Sequence, residues 1–186
     1  MLPFSLRSVL ITFVTVAISA QAAELAFPSA EGFGALATGG RNGEIARVTN
    51  LEDSGPGSFR DAVSKPNRFV VFEVGGVIRL KSNVSVASYL TLAGHSAPGD
   101  GICFYGKTVS FSGSSNVIVR YLRFRQGING DRGKCSINIS GGRNMIFDHC
   151  SIQWGGGIHS ALRKAAATSR FNIASSARRL THSALV

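Results

Sequence analysis

Short runs of β-branched and aromatic residues alternate with Gly, Ser and Asn turns along most of the chain, a pattern typical of strands. The runs are Phe69–Val74, Val77–Leu80, Tyr89–Gly94, Gly101–Gly106, Thr108–Gly113, Val117–Gly127, Ser136–Ser140 and Met145–Gly155. The helix candidate is the short segment Gly57–Pro66, in which Ser58 caps the start and Pro66 ends the helix. The pattern therefore predicts an all-β fold.

An internal repeat limits which all-β architectures fit the sequence. Asn116–Gly127 aligns without a gap with Asn144–Gly155, 28 residues later, and a looser copy covers Asn83–Gly94. Repeats of this length indicate a solenoid or a propeller, and a coil of two or three short strands fits the spacing. An antiparallel sandwich also needs many short strands, but it does not predict a gapless repeat. We therefore favour a β-solenoid.

In a solenoid coil, alternate side chains point into one stacked core. We expect the inward side chains to be Val117, Val119, Leu122 and Phe124, followed one coil later by Met145, Phe147, Cys150 and Ile152. Arg120, Arg123 and Arg125 would then project from one outer face. Such a row could bind substrate carboxylates through charge-assisted hydrogen bonds. The alternative is a solvated row of charges.

The first 22 residues have the features of a secretory signal peptide. Arg7 precedes an apolar run from Val9 to Ile18, and Ala20-Gln21-Ala22 is a small-residue cleavage pattern. The apolar run is shorter than the roughly 20 residues that a membrane span needs. We expect cleavage after Ala22 and a secreted product, in the periplasm or outside the cell, that is not bound to a membrane.

The net charge of +10 is unevenly placed. From Glu24 to Trp154 there are 14 basic and 10 acidic residues, whereas the segment after Trp154 has five basic residues and no acidic one. A nucleic-acid partner is therefore not indicated, because half of the excess charge lies in that last segment. A mildly basic exported domain suits an acidic polymer, although a solvated basic surface explains the charge equally well.

The three cysteines, Cys103, Cys135 and Cys150, form no C-x-x-C pair and so do not indicate a zinc site. They are interpreted as small buried apolar residues. One disulfide would be possible in an oxidising compartment, and the sequence does not assign the pair.

Three blocks, Ala26–Val63, Leu92–Gly106 and Asn144–Gly155, resemble blocks of secreted polysaccharide lyases of the pectate lyase family, in the same order. The resemblance implies a right-handed parallel β-helix, a monomer, and calcium-dependent β-elimination of polygalacturonate. In that reaction Ca²⁺, held by several oxygen ligands, neutralises the uronate carboxylate and acidifies the neighbouring C5 proton. An arginine then removes the proton, and no residue of this chain matches that arginine.

The metal candidates that the resemblance supplies are Asp131 and Asp148. Asp131 is equally well explained as a turn residue, and Cys135 stands where family members often have an aspartate. Asp148 and His149 match the "DH" signature of the family. We favour a structural role, in which His149 bonds across coils and Asp148 supports a turn. The alternative makes His149 a general base, because its unperturbed pKa lies near neutrality.

The sequence changes character at Gly155, after which Ala, Ser and Arg dominate. One explanation is the loss of a single base near the codon of Gly155, so that residues 156–186 are read out of frame; the alternative is natural divergence. We expect 23–155 to be the N-terminal part of a truncated β-helix, 156–186 to be a disordered basic tail, and catalysis to be lost, because each coil covers the next one's edge.

Two other functions are weighed against the lyase. A glycoside hydrolase on the same solenoid would need paired carboxylates. A non-catalytic solenoid would bind the polysaccharide without turnover. The product separates the three, because elimination leaves an unsaturated uronide that absorbs ultraviolet light.

Overall fold

The computed structural model describes residues 24–155 and the backbone of 172–173. One helix is present in this part, α1 (Phe59–Ala62), together with a 3₁₀ turn at Gly94–Ser96. The strands are β1 (Glu44–Val48), β2 (Arg68–Phe72), β3 (Gly76–Arg79), β4 (Val84–Ser85), β5 (Leu90–Ala93), β6 (Ile102–Tyr105), β7 (Val109–Ser110), β8 (Ser115–Arg120), β9 (Leu122–Arg125), β10 (Ile137–Asn138), β11 (Arg143–Asp148), β12 (Ser151–Gln153) and β13 (Asn172–Ile173). The predicted helix is confirmed but short, with the Ser58 hydroxyl accepting from the Asp61 amide.

These strands form three parallel sheets. Sheet A has the order β1-β2-β5-β8-β11-β13, sheet B β12-β9-β6-β3 and sheet C β10-β7-β4. The chain passes from sheet A to B to C and then returns to A, so successive coils stack on one another. The architecture is a right-handed parallel β-helix of about four coils, and the predicted fold class is confirmed.

The strand register confirms the 28-residue repeat. Val117 pairs with Met145 and Val119 with Phe147, so the two aligned copies lie directly on top of one another. The looser copy is wrong, because Leu90 pairs with Val117 and Val84 pairs with Val109. Its residues therefore belong to two different sheets. The copy fails because it aligned Val84 of sheet C with Val117 of sheet A.

The expected inward residues are buried, except that Ile152 is partly buried at the last coil. The run Val117–Gly127 is not one strand, however. Tyr121 has φ +56° and turns the chain from sheet A to sheet B, as His149 does with φ +51° one coil later. The inward set therefore shifts from odd to even positions at this corner. Arg120 consequently lies on sheet A, apart from Arg123 and Arg125 on sheet B, and the single outer row is wrong.

The interior is filled by aligned aromatic rings. Phe104 and Phe124, on consecutive coils, are stacked with their ring centroids 5.3 Å apart. The ring centroid of Phe59, in α1, lies 4.2 Å from that of Phe104, and Phe59 is fully buried. The helix therefore packs its apolar residue onto the core, and burial of large aromatic side chains provides much of the favourable free energy of folding.

An N-terminal segment, residues 24–43, covers the outer face of sheet A. Ala35 and Ala37 pack with Ile118 and Ile146, which point outward and are nevertheless buried. Gly34 is needed for this contact, because a Cβ there would lie 2.1 Å from the Met145 carbonyl oxygen. Sheet A is thus covered on both faces, as parallel sheets usually are.

Two residues of the expected tail, Asn172–Ile173, form β13, which pairs with Ile146 and Phe147 of β11. The other residues of 156–186, and the proposed signal peptide, lie outside the described residues. Within 24–155 and 172–173, no helix has the length and apolar character to cross a bilayer.

Candidate substrate-binding face

The outer face of sheet B carries arginines that no carboxylate of the described residues neutralises. Arg79 lies on β3 and Arg123 and Arg125 lie on β9, with their neighbours Ile78 and Phe124 pointing into the core. Within residues 24–155, none of the three arginines forms an ion pair with Asp or Glu.

Sheet A provides the contrast. Arg47 contacts Glu73, Arg68 contacts Glu44, and Arg120 contacts Asp148. The arginines of sheet B are thus left with positive charge that a ligand could neutralise, and field from uncompensated charges attracts an anionic partner.

Arg125 is held in a fixed orientation. Its Nη1 donates to the Ser151 carbonyl oxygen at 2.7 Å, and its Nη2 donates to the Ser151 hydroxyl at 2.9 Å. Burial, together with the positive charge of Arg123, lowers the pKa of the Arg125 guanidinium below its usual value. Burial disfavours the charged form of the guanidinium, and an anion bound nearby would stabilise that charge.

Arg123 is positioned by the loop that precedes β6. Its Nη2 donates to the Asp100 carbonyl oxygen at 2.6 Å, and the strand register places Arg123 between Cys103 and Ser151. The two predicted residues that remain together, Arg123 and Arg125, therefore form the basic part of the face.

Sequence reasoning missed the aromatic part of this face. Trp154 follows β12 and is 62% exposed, and it lines an open cavity of ≈ 460 Å³ with Tyr105, Gly127 and Ile128. The Arg125 guanidinium carbon lies 5.7 Å from the Trp154 ring centroid, and that of Arg79 lies 5.6 Å from the Tyr105 ring centroid. The sequence feature that could have indicated this aromatic part is the one tryptophan of the chain, which stands at the end of a predicted strand.

Arg120 belongs to a separate cluster at the corner between sheets A and B. Its Nε and Nη2 each lie 2.7 Å from Asp148 Oδ2, and His149 Nδ1 lies 2.7 Å from Asp148 Oδ1. The Arg120 guanidinium also lies over the Phe27 ring, 4.0 Å from its centroid. This arrangement ties β8, β11 and the N-terminal segment together.

The hydrogen bond between coils that the sequence analysis assigned to His149 is made by Asp148. Asp148 makes the polar contact between coils, through Arg120, whereas His149 bonds to its own neighbour Asp148. His149 reaches across coils through its ring, which stacks on Tyr121 with centroids 4.6 Å apart. These contacts concern structure, and a catalytic role for His149 stays a prediction.

The two metal candidates do not come together. Asp148 ends β11 of sheet A, whereas Asp131 lies in the loop that follows β9 and contacts Lys107. Each carboxylate already faces a cationic side chain, and within the described residues no group of three His, Cys, Asp or Glu could hold a metal ion. Because Ca²⁺ takes six to eight oxygen ligands, these residues do not fit a calcium site.

The cysteines carry no disulfide in the described structure. Cys103 and Cys135 are partly buried and Cys150 is buried. Burial raises the pKa of the Cys150 thiol to about 12, so that it stays protonated and unreactive at neutral pH. The interpretation of Cys150 as a small apolar core residue agrees with this environment.

Comparison with curated proteins identifies relatives of this chain, although no family model matches. A probable pectate lyase C of Emericella nidulans is 58% identical over 131 residues, which is 70% of this chain and 31% of the relative. A probable pectate lyase C of Aspergillus fumigatus is 54% identical over 144 residues, or 76% of this chain and 34% of the relative. The chain thus spans about a third of the length of these curated relatives.

The crystal structure of jun a 1, the major allergen from cedar pollen, has the same fold. It superimposes with a TM-score of 0.51 at 23% sequence identity and covers 64% of this chain and 41% of the allergen. Together with the fungal relatives, and with a parallel β-helix built from the expected blocks, these similarities settle the family. The chain belongs to the pectate lyase family, of which it carries the N-terminal part.

Proposed function

We propose that this chain is a secreted pectate lyase-like protein whose sheet B face binds the acidic polysaccharide polygalacturonate. The observation that carries the proposal is the set of three arginines on that face, Arg79, Arg123 and Arg125, which form no ion pair with a carboxylate of residues 24–155. Successive strands of a sheet lie about 4.8 Å apart, and β6 lies between β3 and β9, so Arg79 is two coils away from Arg123 and Arg125. Cations spread in this way suit a polymer better than a small ion.

The nature of the relatives supports the choice of polymer. Two proteins with more than half of the aligned residues identical are named as pectate lyases, and pectate is a polyanion. Guanidinium groups bind carboxylates through paired, charge-assisted hydrogen bonds. The proposal therefore assigns the uronate carboxylates to Arg123 and Arg125.

Calcium-dependent β-elimination is proposed for the longer family members rather than for this chain as it stands. Asp131 and Asp148 are apart and each faces a cation, so the described residues supply no calcium ligand set. No arginine of the chain matches the family's base. We expect the chain to bind polygalacturonate as a monomer without cleaving it.

Binding is tested with the full chain and polygalacturonate at low and moderate salt. We expect Arg123→Gln to weaken binding about tenfold, and added salt to weaken it further, because screening reduces long-range attraction. Arg47→Gln is the matched control, because Arg47 lies on sheet A and already contacts Glu73. Equal loss in both variants would mean that only net charge matters, and unchanged binding in Arg123→Gln would refute the assigned face.

Turnover is followed by ultraviolet absorbance of unsaturated uronides, with calcium varied over a wide range. We expect saturable binding and no absorbance change. Absorbance growth would show that the chain is a lyase by itself. New reducing ends without absorbance would instead favour the hydrolase.

Secretion is proposed from the sequence of the first 22 residues. Expression in a secreting host, followed by N-terminal sequencing of the exported protein, should give a start at Ala23. Retention of Met1 inside the cell would contradict the export prediction.

The origin of residues 156–186 is testable from the coding DNA. We propose that restoring one base near the codon of Gly155 reopens a long frame with alternating strand residues and acidic residues. A stop codon soon after the restored base would refute this explanation and favour natural divergence.

A further inference from the structure

We propose that Trp154, Tyr105 and Ile128 form an apolar subsite that takes one uronate ring of the polysaccharide, with the ring stacked on the Trp154 indole and its carboxylate directed at the neighbouring guanidinium groups. This inference rests on the proposed function and deepens it. It assigns the contact with the sugar ring to three residues outside the basic pair, Arg123 and Arg125.

The cavity is built from exposed apolar side chains. Ile128 is 95% exposed and Trp154 is 62% exposed, and both line the ≈ 460 Å³ cavity with Tyr105. Large apolar side chains grouped at one exposed place are unfavourable unless a ligand or partner covers them. The cavity opens to solvent, which suits one ring of a long polymer better than an enclosed small molecule.

The backbone is shaped to form this cavity. Gly127 has φ +65°, and a Cβ on it would lie 2.5 Å from Tyr105 Cε2, so glycine is required for the loop to pass over the tyrosine ring. The Gly127 amide donates to the Trp154 carbonyl oxygen at 3.3 Å. Trp154 itself has φ +59°, an unfavourable backbone conformation for a bulky residue, and such conformations are concentrated at binding sites.

The charges around the cavity select an acidic sugar. Arg125 lies over the Trp154 ring and Arg79 over the Tyr105 ring, with guanidinium carbons 5.7 Å and 5.6 Å from the centroids. Neither arginine has a carboxylate partner among residues 24–155. The C–H groups on the apolar face of a pyranose ring carry partial positive charge and pack well on the negative face of an aromatic ring. A uronate ring adds the carboxylate that these guanidinium groups lack.

Trp154 is the one tryptophan of the chain, so its fluorescence reports this subsite alone. Oligogalacturonate is titrated into the full chain, and the fluorescence change is compared with binding measured by calorimetry. We expect both signals to saturate with the same Kd. A neutral oligogalactose of equal length should bind at least tenfold more weakly.

Variants separate the subsite from the rest of the face. We expect Trp154→Ala to weaken oligogalacturonate binding about tenfold and Trp154→Phe to stay within threefold of the original affinity, because a smaller aromatic ring keeps the stacking. Ile45→Ala is the matched control, since Ile45 is 59% exposed on β1 of sheet A. Ile128→Ala, at an almost fully exposed position, gives a second test should Trp154→Ala fold poorly, with an expected loss of about threefold.

The outcomes distinguish the two proposals. If Arg123→Gln loses binding while Trp154→Ala and Ile128→Ala bind normally and ligand leaves the fluorescence unchanged, the subsite is wrong and the proposed function stands. If the unaltered chain binds no oligogalacturonate, the proposed function falls as well. Equal affinity for the neutral sugar would overturn the assignment to a uronate.

Discussion

Asn144 donates its side-chain amide to the side-chain oxygen of Asn116, which occupies the same corner of the preceding coil. Both residues have a left-handed backbone, with φ +49° and +56°. Asparagine adopts this conformation more readily than most residues, because its short amide can bond locally. Each of the two side chains therefore serves both the turn and the contact between coils.

Replacing Asn116 should separate these two effects. Asn116→Gly removes the amide bond but tolerates the positive φ, whereas Asn116→Ala removes the bond and strains the backbone. We expect urea unfolding to give a loss of about 1 kcal/mol for the glycine variant and about 2 kcal/mol for the alanine variant. Equal losses would mean that the backbone conformation contributes nothing.

Phe104 should be among the most sensitive core positions. It is buried between Phe59 and Phe124, and Phe104→Ala would leave a cavity in the aromatic column. We expect a loss of about 3–5 kcal/mol in the free energy of unfolding. Val77→Ala, at an exposed position of the same sheet, should stay within about 0.5 kcal/mol. A small effect at Phe104 would contradict the packing of the coils described above.

Asp148 and His149 should differ in their effect on stability. Asp148→Asn leaves the Arg120 guanidinium without its carboxylate in a partly buried place, so we expect a loss of about 1–3 kcal/mol at neutral pH. His149→Gln alters a side chain that is 61% exposed, and its effect should be below about 1 kcal/mol. Thermal unfolding of both variants provides the measurement. A larger loss at His149 would contradict Asp148 as the main link between coils.

Cys150 should react with thiol reagents only after unfolding. Its pKa of about 12 leaves a thiolate fraction of about one in 10⁴ at pH 8, and its sulfur is buried against the Val119 carbonyl oxygen. Alkylation with iodoacetamide followed by mass spectrometry should modify Cys103 well before Cys150. Adding denaturant should make their rates similar, and rapid labelling of Cys150 in the folded protein would disagree with this structure.

Asp53 should contribute stability that is lost in acid. Although burial opposes it, the hydrogen bond from the Lys81 amide and the Arg60 guanidinium hold the pKa of Asp53 below its usual value. A carboxyl with a lowered pKa stabilises the folded state at pH values above its unfolded pKa of about 3.9, and the contribution disappears as the pH falls through the folded pKa. Asp53→Asn should therefore destabilise the protein at pH 7 and have a smaller effect near pH 2, measured by urea unfolding at both values.

Much of the fold follows from the local pattern of the sequence. The alternation in Val117–Val119 and Met145–Phe147, and the gapless repeat, determine which side chains point inward and that one coil stacks on the next. These properties follow because side chains alternate along a strand and because identical spacing brings like residues together. Ser58 likewise determines where α1 begins.

The position of each coil corner was decided by the tertiary structure. Tyr121 turns the chain with a positive φ, which local propensity does not predict for a bulky residue, and this turn separates Arg120 from Arg123 and Arg125. The ion pair between Arg120 and Asp148 and the cavity between Tyr105 and Trp154 join residues from different coils. Such contacts depend on how far one coil is displaced along the next, so only the stacked structure brings their members together.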